Sequence, residues 1–430
     1  MFTCHHNNNS DKAVQYLSGL FMSRKRNMER MEESVEGAEY ESLQQFISAS
    51  SWSARDVMDR VAKEADGIVG GMPCTALVLD ESAFSKKGEK SVGVARQYDG
   101  RHGKVDNCQV AVFGALVAGK HSTLVDARLF LPAEWVDDPE RCRRAGVPDA
   151  DIVSKSKVEL AMDIVKHQRE LGVRFSFVCA DGLYGNSGGF ARGLDDLGET
   201  FVLHVHSDQL VYLRDPSPAV PEGNGRGRKP SKLKTQDEAV DVKSLAKSQP
   251  KSAWERVPVR MSTTGPLERL AWRREVWLWD GDELAARKWT LLVLKEFTGE
   301  IKYCLTNADG DVPTSQLAAM ESARFWIERS FEDGKSTVGM AEYQVRGWRA
   351  WGHHMALSMM ALLFILKQRI LYGDACPLLS PNDIRYLLAA LLPRRGVGYD
   401  EVVRQMRKRH KKRKAASDSK ARTRVANMQE

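Results

Sequence analysis

The stretch from Thr75 to Tyr98 constrains this chain most, because a short apolar run within it ends in two carboxylates. Residues 76–79 are apolar and predict a buried strand that ends at Asp80 and Glu81. Residues 85–88, Ser-Lys-Lys-Gly, predict a flexible cationic loop. Acid on a fixed strand beside a basic loop is typical of a site for a metal and a phosphate. Taken alone, the stretch also fits an edge strand followed by a solvated turn.

The composition predicts a globular chain of two or three domains, with 430 residues, 42% of them hydrophobic and 28% charged. The seven cysteines are scattered singly, without a C-x-x-C pair, so we expect neither a zinc site nor a disulfide framework. The N-terminus has no apolar signal region, and the longest apolar run, residues 355–366, is too short for a bilayer. We therefore expect a cytoplasmic protein that does not interact with a membrane.

The net charge of +7 is concentrated at the C-terminal end. Residues 404–424 contain eleven Lys or Arg and one acid, giving +10, and the rest of the chain, with 53 basic and 56 acidic residues, carries −3. Such a segment predicts a polyanionic partner, most commonly nucleic acid. A disordered solubilising tail is the alternative.

The N-terminal region has a helical pattern from Ala13 to Asp66. One helix start is marked at Ser53, whose hydroxyl can cap the helix, with Asp56 at the third position. Four cations decorate the region: Arg24, Lys25, Arg26 and Arg30. They allow a small helical nucleic-acid-binding module, and a packing subdomain explains the same pattern equally well.

Strand patterns dominate the next part of the chain. Four runs predict an antiparallel meander: Thr75–Asp80, Ser91–Gln97, Cys108–Val117 and Thr123–Phe130. Residues 131–150 are rich in Pro, Gly and charge, so no regular structure is expected there.

A second buried strand is predicted from Phe175 to Ala180, and it ends in Asp181. A helix predicted over residues 157–171 precedes it and allows a parallel crossover back to the strand of Asp80. Both aspartates would then lie at the same edge of the sheet.

Residues 206–310 form a predicted β-rich insertion. Its strand-like runs are Glu255–Met261, Leu270–Trp279, Trp289–Leu294 and Ile301–Leu305. A Gly-, Pro- and Lys-rich stretch, residues 221–234, predicts a mobile loop near its start.

A helix follows the insertion and places Arg324, Glu328 and Lys335 along one stripe. Taken alone, the stripe is an ordinary row of surface ion pairs. The next predicted helix, 354–371, is apolar nearly all round, and His353 and His354 are interpreted as helix-start residues because no third metal ligand has suitable spacing. A short helix over 380–392 precedes the basic tail.

Two strand-end aspartates and a glutamate, all oxygen donors, suit Mg²⁺ or Mn²⁺. Asp80, Asp181 and Glu328 are therefore the candidate catalytic ligands, with Glu332 as the rival to Glu328. Two ions roughly 4 Å apart would activate a water or hydroxyl for attack on a phosphodiester. Four cations are candidate DNA contacts: Arg324, Lys335, Lys86 and Lys87.

From about Tyr16 to Leu371 the chain resembles bacterial insertion-sequence DDE transposases. The matching motifs are DESAFSKKGEKSVGVARQYDG around Asp80, NCQVAV, LPAEWVDDPERCRRAGVP, VCADGLYG around Asp181 and the helix of Glu328. In the hairpin-type branch a Tyr-Arg-Glu-Lys signature surrounds the last carboxylate, and Arg324, Glu328 and Lys335 match it. Glu321 stands where that signature has tyrosine, so cleavage through a hairpin intermediate and cleavage by another route both stay open.

The resemblance implies an RNase H-like α/β mixed-sheet core with a β-rich insertion and an N-terminal helical region. The expected parts are an N-terminal region (1–70), a first core part (71–205), the insertion (206–310), a second core part (311–372) and a C-terminal helix and tail (373–430). It further implies a metal-dependent transposase that cleaves and joins double-stranded DNA as a homodimer, without a nucleotide cofactor. An RNase H-like nuclease without strand transfer and a non-catalytic DNA-binding protein are the alternatives.

Overall fold

The computed structural model of the protein describes residues 2–4, 7–100, 103–221, 231–262, 265–281 and 283–426. The strands are β1 (Thr3–Cys4), β2 (Asn7–Asn8), β3 (Ala76–Ser85), β4 (Ala95–Asp99), β5 (Lys104–Ala118), β6 (His121–Leu129), β7 (Phe177–Ala180), β8 (Phe201–Val205), β9 (Leu210–Val211), β10 (Val240–Asp241), β11 (Glu255–Ser262), β12 (Gly265–Leu278), β13 (Arg287–Lys295) and β14 (Ile301–Thr306).

The α-helices are α1 (Ser10–Met22), α2 (Met28–Ser34), α3 (Tyr40–Ser48), α4 (Ala54–Val69), α5 (Ala133–Val136), α6 (Pro139–Arg144), α7 (Lys157–Glu170), α8 (Gly182–Gly185), α9 (Gly188–Asp196), α10 (Val242–Lys247), α11 (Thr314–Ser322), α12 (Arg324–Ser336), α13 (Trp348–Leu371), α14 (Pro381–Leu391) and α15 (Tyr399–Ala426). Short 3-10 helices lie at Asp149–Asp151 and Lys251–Ala253. The predicted mobile loop, residues 221–234, falls largely outside the described residues.

A ten-stranded mixed sheet organises the molecule, in the order β11-β12-β13-β14-β8-β7-β3-β5, with β4 and β6 both paired to the far edge of β5. Strand β3 is antiparallel to β5 and parallel to β7, and β7 is parallel to β8. The order β6-β5-β3-β7-β8 is that of an RNase H-like core. The predicted α/β mixed-sheet fold is thus confirmed.

Helices cover both faces of this core. On β5, Gly114 lies under α7, where an added Cβ would approach Ile164 to 2.9 Å. Phe113, the neighbouring residue, points to the other face and packs edge-on against Phe331 of α12 at 5.2 Å. Because Asp80 is paired with Phe113 across the sheet, it lies on the α12 face of β3.

The strands of the β-rich segment extend the same sheet. Strand β14 pairs with β8, and β13, β12 and β11 follow in antiparallel order. All four predicted runs of this segment form strands, each within a few residues of its predicted bounds. The segment is therefore continuous with the core sheet through its hydrogen bonds.

The N-terminal helices pack against α13. The predicted cap at Ser53 is confirmed, since its hydroxyl accepts from the Asp56 amide at 3.1 Å. Arg26 is largely buried and binds Glu342 at 2.6 Å and two carbonyls of the α12 end, so this cation ties the region to the core. These contacts favour the packing interpretation for Arg26.

Helix α13 begins at Trp348, six residues before its predicted start. His353 and His354 are therefore buried in its second turn, where they bind Ile47 and Trp52 carbonyls and the Tyr16 hydroxyl. By length and composition α13 is the one helix in the described ranges that could cross a membrane, but 61% of its apolar window is buried inside the protein.

The predicted meander is wrong in its order, because β3 pairs with β5 and not with β4. The run predicted from Ser91 to Gln97 becomes a strand at Ala95, since a turn forms before it and Val92 donates to the Arg346 carbonyl. The helix predicted at 157–171 is confirmed as α7, which Ser156 caps.

Residues 131–150 contain short helices where no regular structure was predicted. Asp138 caps α6, and Pro139 lies in the first turn of this helix. Proline is tolerated there because the amide N–H that it lacks would have no acceptor within the helix. Trp135 of α5 is buried and donates to the Val94 carbonyl at 2.8 Å. The local Pro and charge content therefore marks helix starts here.

The basic C-terminal segment is helical. The segment lies in α15, and its first half docks on acidic residues of α2. Lys408 lies 2.7 Å from Glu32, and Arg409 lies 2.6 Å from Glu33. The predicted short helix before it is confirmed as α14, with a capping box at Ser380.

Candidate metal centre

Two adjacent parallel strands bring Asp80 and Asp181 together. Leu79 and Ala180 form the last paired position of β3 and β7, and each aspartate is the next residue. The predicted end of the first strand at Asp80 is wrong, since β3 continues to Ser85, but the pairing with β7 does end there. Asp181 instead leaves its strand and caps α8, accepting from the Leu183 amide at 2.9 Å. Both carboxylates therefore meet at one edge, as the crossover predicted.

The turn after Asp181 depends on glycine. An added Cβ at Gly185 would lie 1.8 Å from the His204 carbonyl oxygen of β8, so no larger residue fits without moving the backbone. This close approach holds α8, and with it Asp181, against the sheet.

Glu81 joins the two aspartates. Ligand oxygens of Asp80, Glu81 and Asp181 all lie within 4.8 Å of one another, and we call these three residues the Asp80 group. Glu81 also lies 3.2 Å from Lys157 and accepts from the Tyr184 hydroxyl at 3.1 Å. Strand alternation places neighbouring side chains on opposite faces, so no sequence signal indicated that Glu81 would converge with Asp80. Glu81 converges with the two aspartates despite this alternation because β7 ends beside Glu81.

The Asp80 group is short of positive charge. Burial, together with the like charges of Asp181 and Glu81, raises the pKa of Asp80 to about 8, against the opposing effect of Arg324. The Asp80 side chain is only 12% exposed, and Arg324 lies 3.9 Å from it. Crowded oxygen donors with uncompensated charge are what a hard divalent cation requires.

Helix α12 brings Glu328 close to this group without placing it inside. Arg324 donates to Glu328 at 2.8 Å and approaches Asp80, so one guanidinium links the two carboxylates. The Glu328 side chain is 51% exposed, and the group of converging oxygens does not include it. Glu328 thus lies one side chain away from Asp80.

The rival acid, Glu332, lies elsewhere on α12. Its side chain is 62% exposed and pairs with Arg329. Within the described residues, Glu332 forms no hydrogen bond or ion pair with Asp80 or Asp181. The geometry therefore favours Glu328 as the acid nearer the Asp80 group.

The predicted basic residues occupy different positions along β3. Lys335 donates to the Ala83 carbonyl at 3.1 Å, three residues beyond Asp80. Lys86 is half-buried over the Tyr343 ring, 3.3 Å from its centroid, and burial lowers its pKa to about 7. Lys87 is exposed. Asn107 hydrogen-bonds the backbone of the predicted flexible loop at Lys86 and Gly88, so the loop is attached to β5.

A second acidic cluster surrounds Glu321, the residue at the tyrosine position of the signature. Its members are Glu321, Glu296, His204, Arg269 and Lys302, which we call the Glu321 cluster. Glu321 lies 2.9 Å from His204, 2.7 Å from Arg269 and 3.7 Å from Lys302, and its side chain is only 2% exposed. No sequence signal points to this cluster, because its members come from β8, β12, β14, α11 and the turn that follows β13.

The cations of this cluster lower the pKa of Glu321 more than burial raises it. Burial by itself raises the pKa of Glu321, but the His204 hydrogen bond and the charges of Arg269 and Lys302 lower it to about 2. The carboxylate is therefore ionised and fully partnered inside the protein. It ties the β-rich strands to the helix end that precedes α12.

The Asp80 group, with an arginine and a lysine beside it, belongs to the class of carboxylate centres that hold a divalent cation for chemistry at phosphorus. The chain belongs to the DDE superfamily endonuclease family, which matches residues 1–266. That match contains Asp80, Glu81 and Asp181 and ends before Glu328. The family is one of divalent-metal endonucleases, and the oxygen-only donor set fits such an ion.

Two individual proteins show a more limited likeness. A curated protein, the probable transposase for insertion sequence element IS701 from Microchaete diplosiphon, is 29% identical over 174 residues. The alignment covers 40% of this chain and 42% of that protein, so the chain matches less than half of the relative. The cryo-EM structure of a piggyBac transposase synaptic complex with hairpin DNA aligns over 94% of this chain and 73% of its own, with 11% identity and a TM-score of 0.41.

Proposed function

We propose that this protein is the DDE transposase of an insertion sequence, which binds the terminal repeats of its element, cleaves the DNA and joins the ends to target DNA. The observation that carries the proposal is the convergence of Asp80 and Asp181 at the end of two parallel core strands, with Arg324 and Glu328 on the facing helix. Membership of the endonuclease family and the transposase name of the partial relative support it.

In this proposal Asp80, Asp181 and Glu328 hold two ions, Mg²⁺ or Mn²⁺. When bound, such ions activate the attacking oxygen and stabilise the leaving oxygen in an in-line displacement at phosphorus. Glu81 is available as a further oxygen donor, because its carboxylate already lies in the Asp80 group.

The basic side chains around the acids orient the DNA. Arg324 approaches Asp80 to 3.9 Å, where its guanidinium can bind a phosphate and offset charge that develops in the transition state. Lys335 of α12 contacts β3 at Ala83, three residues beyond Asp80, and Lys86 and Lys87 follow the end of that strand. They would hold phosphates of the same DNA at increasing distance from the reacting one.

The partners follow from the reaction. The protein would act on double-stranded DNA, both element ends and target, in the bacterial cytoplasm at the nucleoid. Two ends must be held together, so we propose a homodimer on DNA. Transesterification at phosphorus needs no nucleotide cofactor.

The five-part division of the chain stays part of the proposal. Residues 1–70 and 373–430 flank a core made of 71–205 and 311–372. Residues 206–310 are its β-rich insertion, and their strands extend the core sheet.

The test is cleavage and strand transfer on a labelled duplex carrying the element's own end, with Mg²⁺. It compares the intact protein with Glu328→Gln and the matched control Glu332→Gln. We expect cleavage and joining by the intact protein and the control, and neither by Glu328→Gln. Cleavage without joining would support a nuclease, and binding without cleavage a DNA-binding protein. Full activity of Glu328→Gln would refute its role as a ligand.

A further inference from the structure

A basic groove runs beside the end of β3. It has a volume of about 890 Å³ and lies between α2 and α3 on one side and the loops 85–91 and 341–346 on the other. Its charged lining residues are Lys86, Lys87, Lys90, Arg346 and Glu89. Four cations against one acid give the groove a positive surface.

The backbone that carries the cations of the groove is held in place by hydrogen bonds. Asn107 holds the Lys86 and Gly88 carbonyls at 2.8 and 3.2 Å, and the Val92 amide donates to the Arg346 carbonyl at 2.8 Å. The two basic loops are therefore joined to each other and to β5. Loops that are already ordered bind a polyanion at a lower cost in conformational entropy than mobile loops do.

The groove continues from the Asp80 group along one strand. Strand periodicity places Asp80, Ser82 and Phe84 on the same face of β3, and Lys86 follows in that register beside Phe84, over the Tyr343 ring that Phe84 contacts. Lys335 contacts β3 between the acids and the groove. At about 3.3 Å per residue, Ser85 lies roughly 17 Å from Asp80, the length of about five base pairs.

The opposite wall is suited to a backbone of sugars and phosphates. Tyr40, Gln44 and Ser48 line it with hydroxyl and amide groups. Lys412 of α15 lies 3.5 Å from the centre of the Tyr40 ring, so the basic helix leaves the protein at the rim of the groove.

We propose that this groove binds one sugar–phosphate strand of duplex DNA about five base pairs from the phosphate that reacts at the Asp80 group. The proposal deepens and rests on the proposed function, because it fixes where the substrate lies relative to the acids. The N-terminal helices thereby become one wall of the substrate channel through α2 and α3.

The experiment measures binding of a labelled element-end duplex in EDTA, so that cleavage plays no part. The variant is Lys87→Gln with Lys90→Gln, and the control is Lys243→Gln with Lys251→Gln, exposed lysines of the β-rich segment. We expect the slope of log affinity against log salt to become shallower by about two in the groove variant and to stay unchanged in the control.

Ethylation interference on the same duplex then locates the contacts. We expect interference at phosphates about five nucleotides from the cleavage position with the intact protein, and its loss in the groove variant. An unchanged salt slope, an equal change in the control, or interference that the variant does not alter would each overturn the groove assignment. Failure of the proposed function would show differently, as groove binding that persists without cleavage in Mg²⁺.

Discussion

The Asp80 group and the Glu321 cluster are two buried collections of acid in one sheet, with opposite electrostatic outcomes. Around Glu321, three basic side chains serve two carboxylates, and the pKa of Glu321 falls to about 2. Around Asp80, three carboxylates share Lys157 and Arg324, and burial raises the pKa of Asp80 to about 8.

This difference separates a structural cluster from a binding site. A buried acid whose cations are supplied by the chain itself joins elements together, as Glu321 joins β8, β12 and α11. A buried acid that lacks such cations creates a demand for positive charge from outside. Burial alone does not distinguish the two cases, whereas the local balance of charge does.

The largest contrast is expected in catalysis. Asp80→Asn removes a ligand oxygen charge from the Asp80 group, so DNA cleavage should fall by on the order of 10³-fold or more. Glu321→Gln should leave the rate per folded molecule within about tenfold, because its carboxylate is only 2% exposed and is paired with basic side chains away from the Asp80 group. Initial rates of nicking with Mg²⁺ check both variants. Equal losses would mean that the Glu321 cluster also takes part in the reaction.

The same two variants should differ in stability in the reverse order. Glu321→Gln leaves the buried Arg269 with one acidic partner among the described residues, Glu296, and we expect the free energy of unfolding to fall by about 3 kcal/mol or more. Asp80→Asn relieves repulsion from Asp181 and Glu81, so the free energy of unfolding in EDTA should be unchanged or higher. Urea denaturation measures both. A clear loss of stability in Asp80→Asn would show that Asp80 is structurally partnered.

The free energy of unfolding should also depend on pH through the ionisation of Glu321. The pKa of Glu321 is depressed from 4.5 to about 2 in the folded protein. A carboxyl group whose pKa is depressed by folding stabilises the protein fully above its unfolded-state pKa, and this stabilisation is lost as the pH falls through its folded-state pKa. The contribution of Glu321, about 3 kcal/mol, should therefore decline between about pH 4.5 and 2. The difference between intact protein and Glu321→Gln should shrink over that window. A constant difference would contradict the assignment.

The smallest expected effect is stabilisation by metal. Mg²⁺ that binds only the folded protein at about ten times its dissociation constant adds about 1.4 kcal/mol. The unfolding midpoint of the intact protein should therefore rise with MgCl₂, and that of Asp80→Asn should not. A similar rise in both would place the ion outside the Asp80 group.

The sequence predicted the parts of the site that lie next to core strands. Asp80 and Asp181 each follow an apolar run, and a helix between those runs is enough to place them on parallel neighbours. The prediction did not depend on the correct strand order, since the error concerned β4, which lies away from β7. The stripe from Arg324 to Lys335 was likewise predictable from helical spacing.

The contacts that could not be predicted join distant segments. Glu81 converges with the aspartates only because β7 ends where it does, and Glu321 finds Arg269 52 residues earlier in the chain. Lys86 has the pattern of a free loop lysine but packs over Tyr343, 257 residues later. Spacing along a sequence encodes local faces, and it carries no information on which distant side chain completes a pair.

The charge of helix α15, counted with its docking partners, is distributed unevenly along its length. Its docked cations, Arg404, Lys408, Arg409 and Lys412, face acids of α2 and of its own first turn, whereas Arg413 to Arg424 extend beyond these contacts. Counted with Glu29, Glu32 and Glu33 of α2, residues 399–412 have six basic groups against five acids, giving +1, whereas residues 413–424 have five against one, giving +4. The positive charge therefore increases toward the end of the helix, which acts as a dipole anchored to the body. In the field of a polyanion such a dipole turns the whole protein before contact. Salt shortens the distance over which it does so, to about 8 Å under physiological conditions.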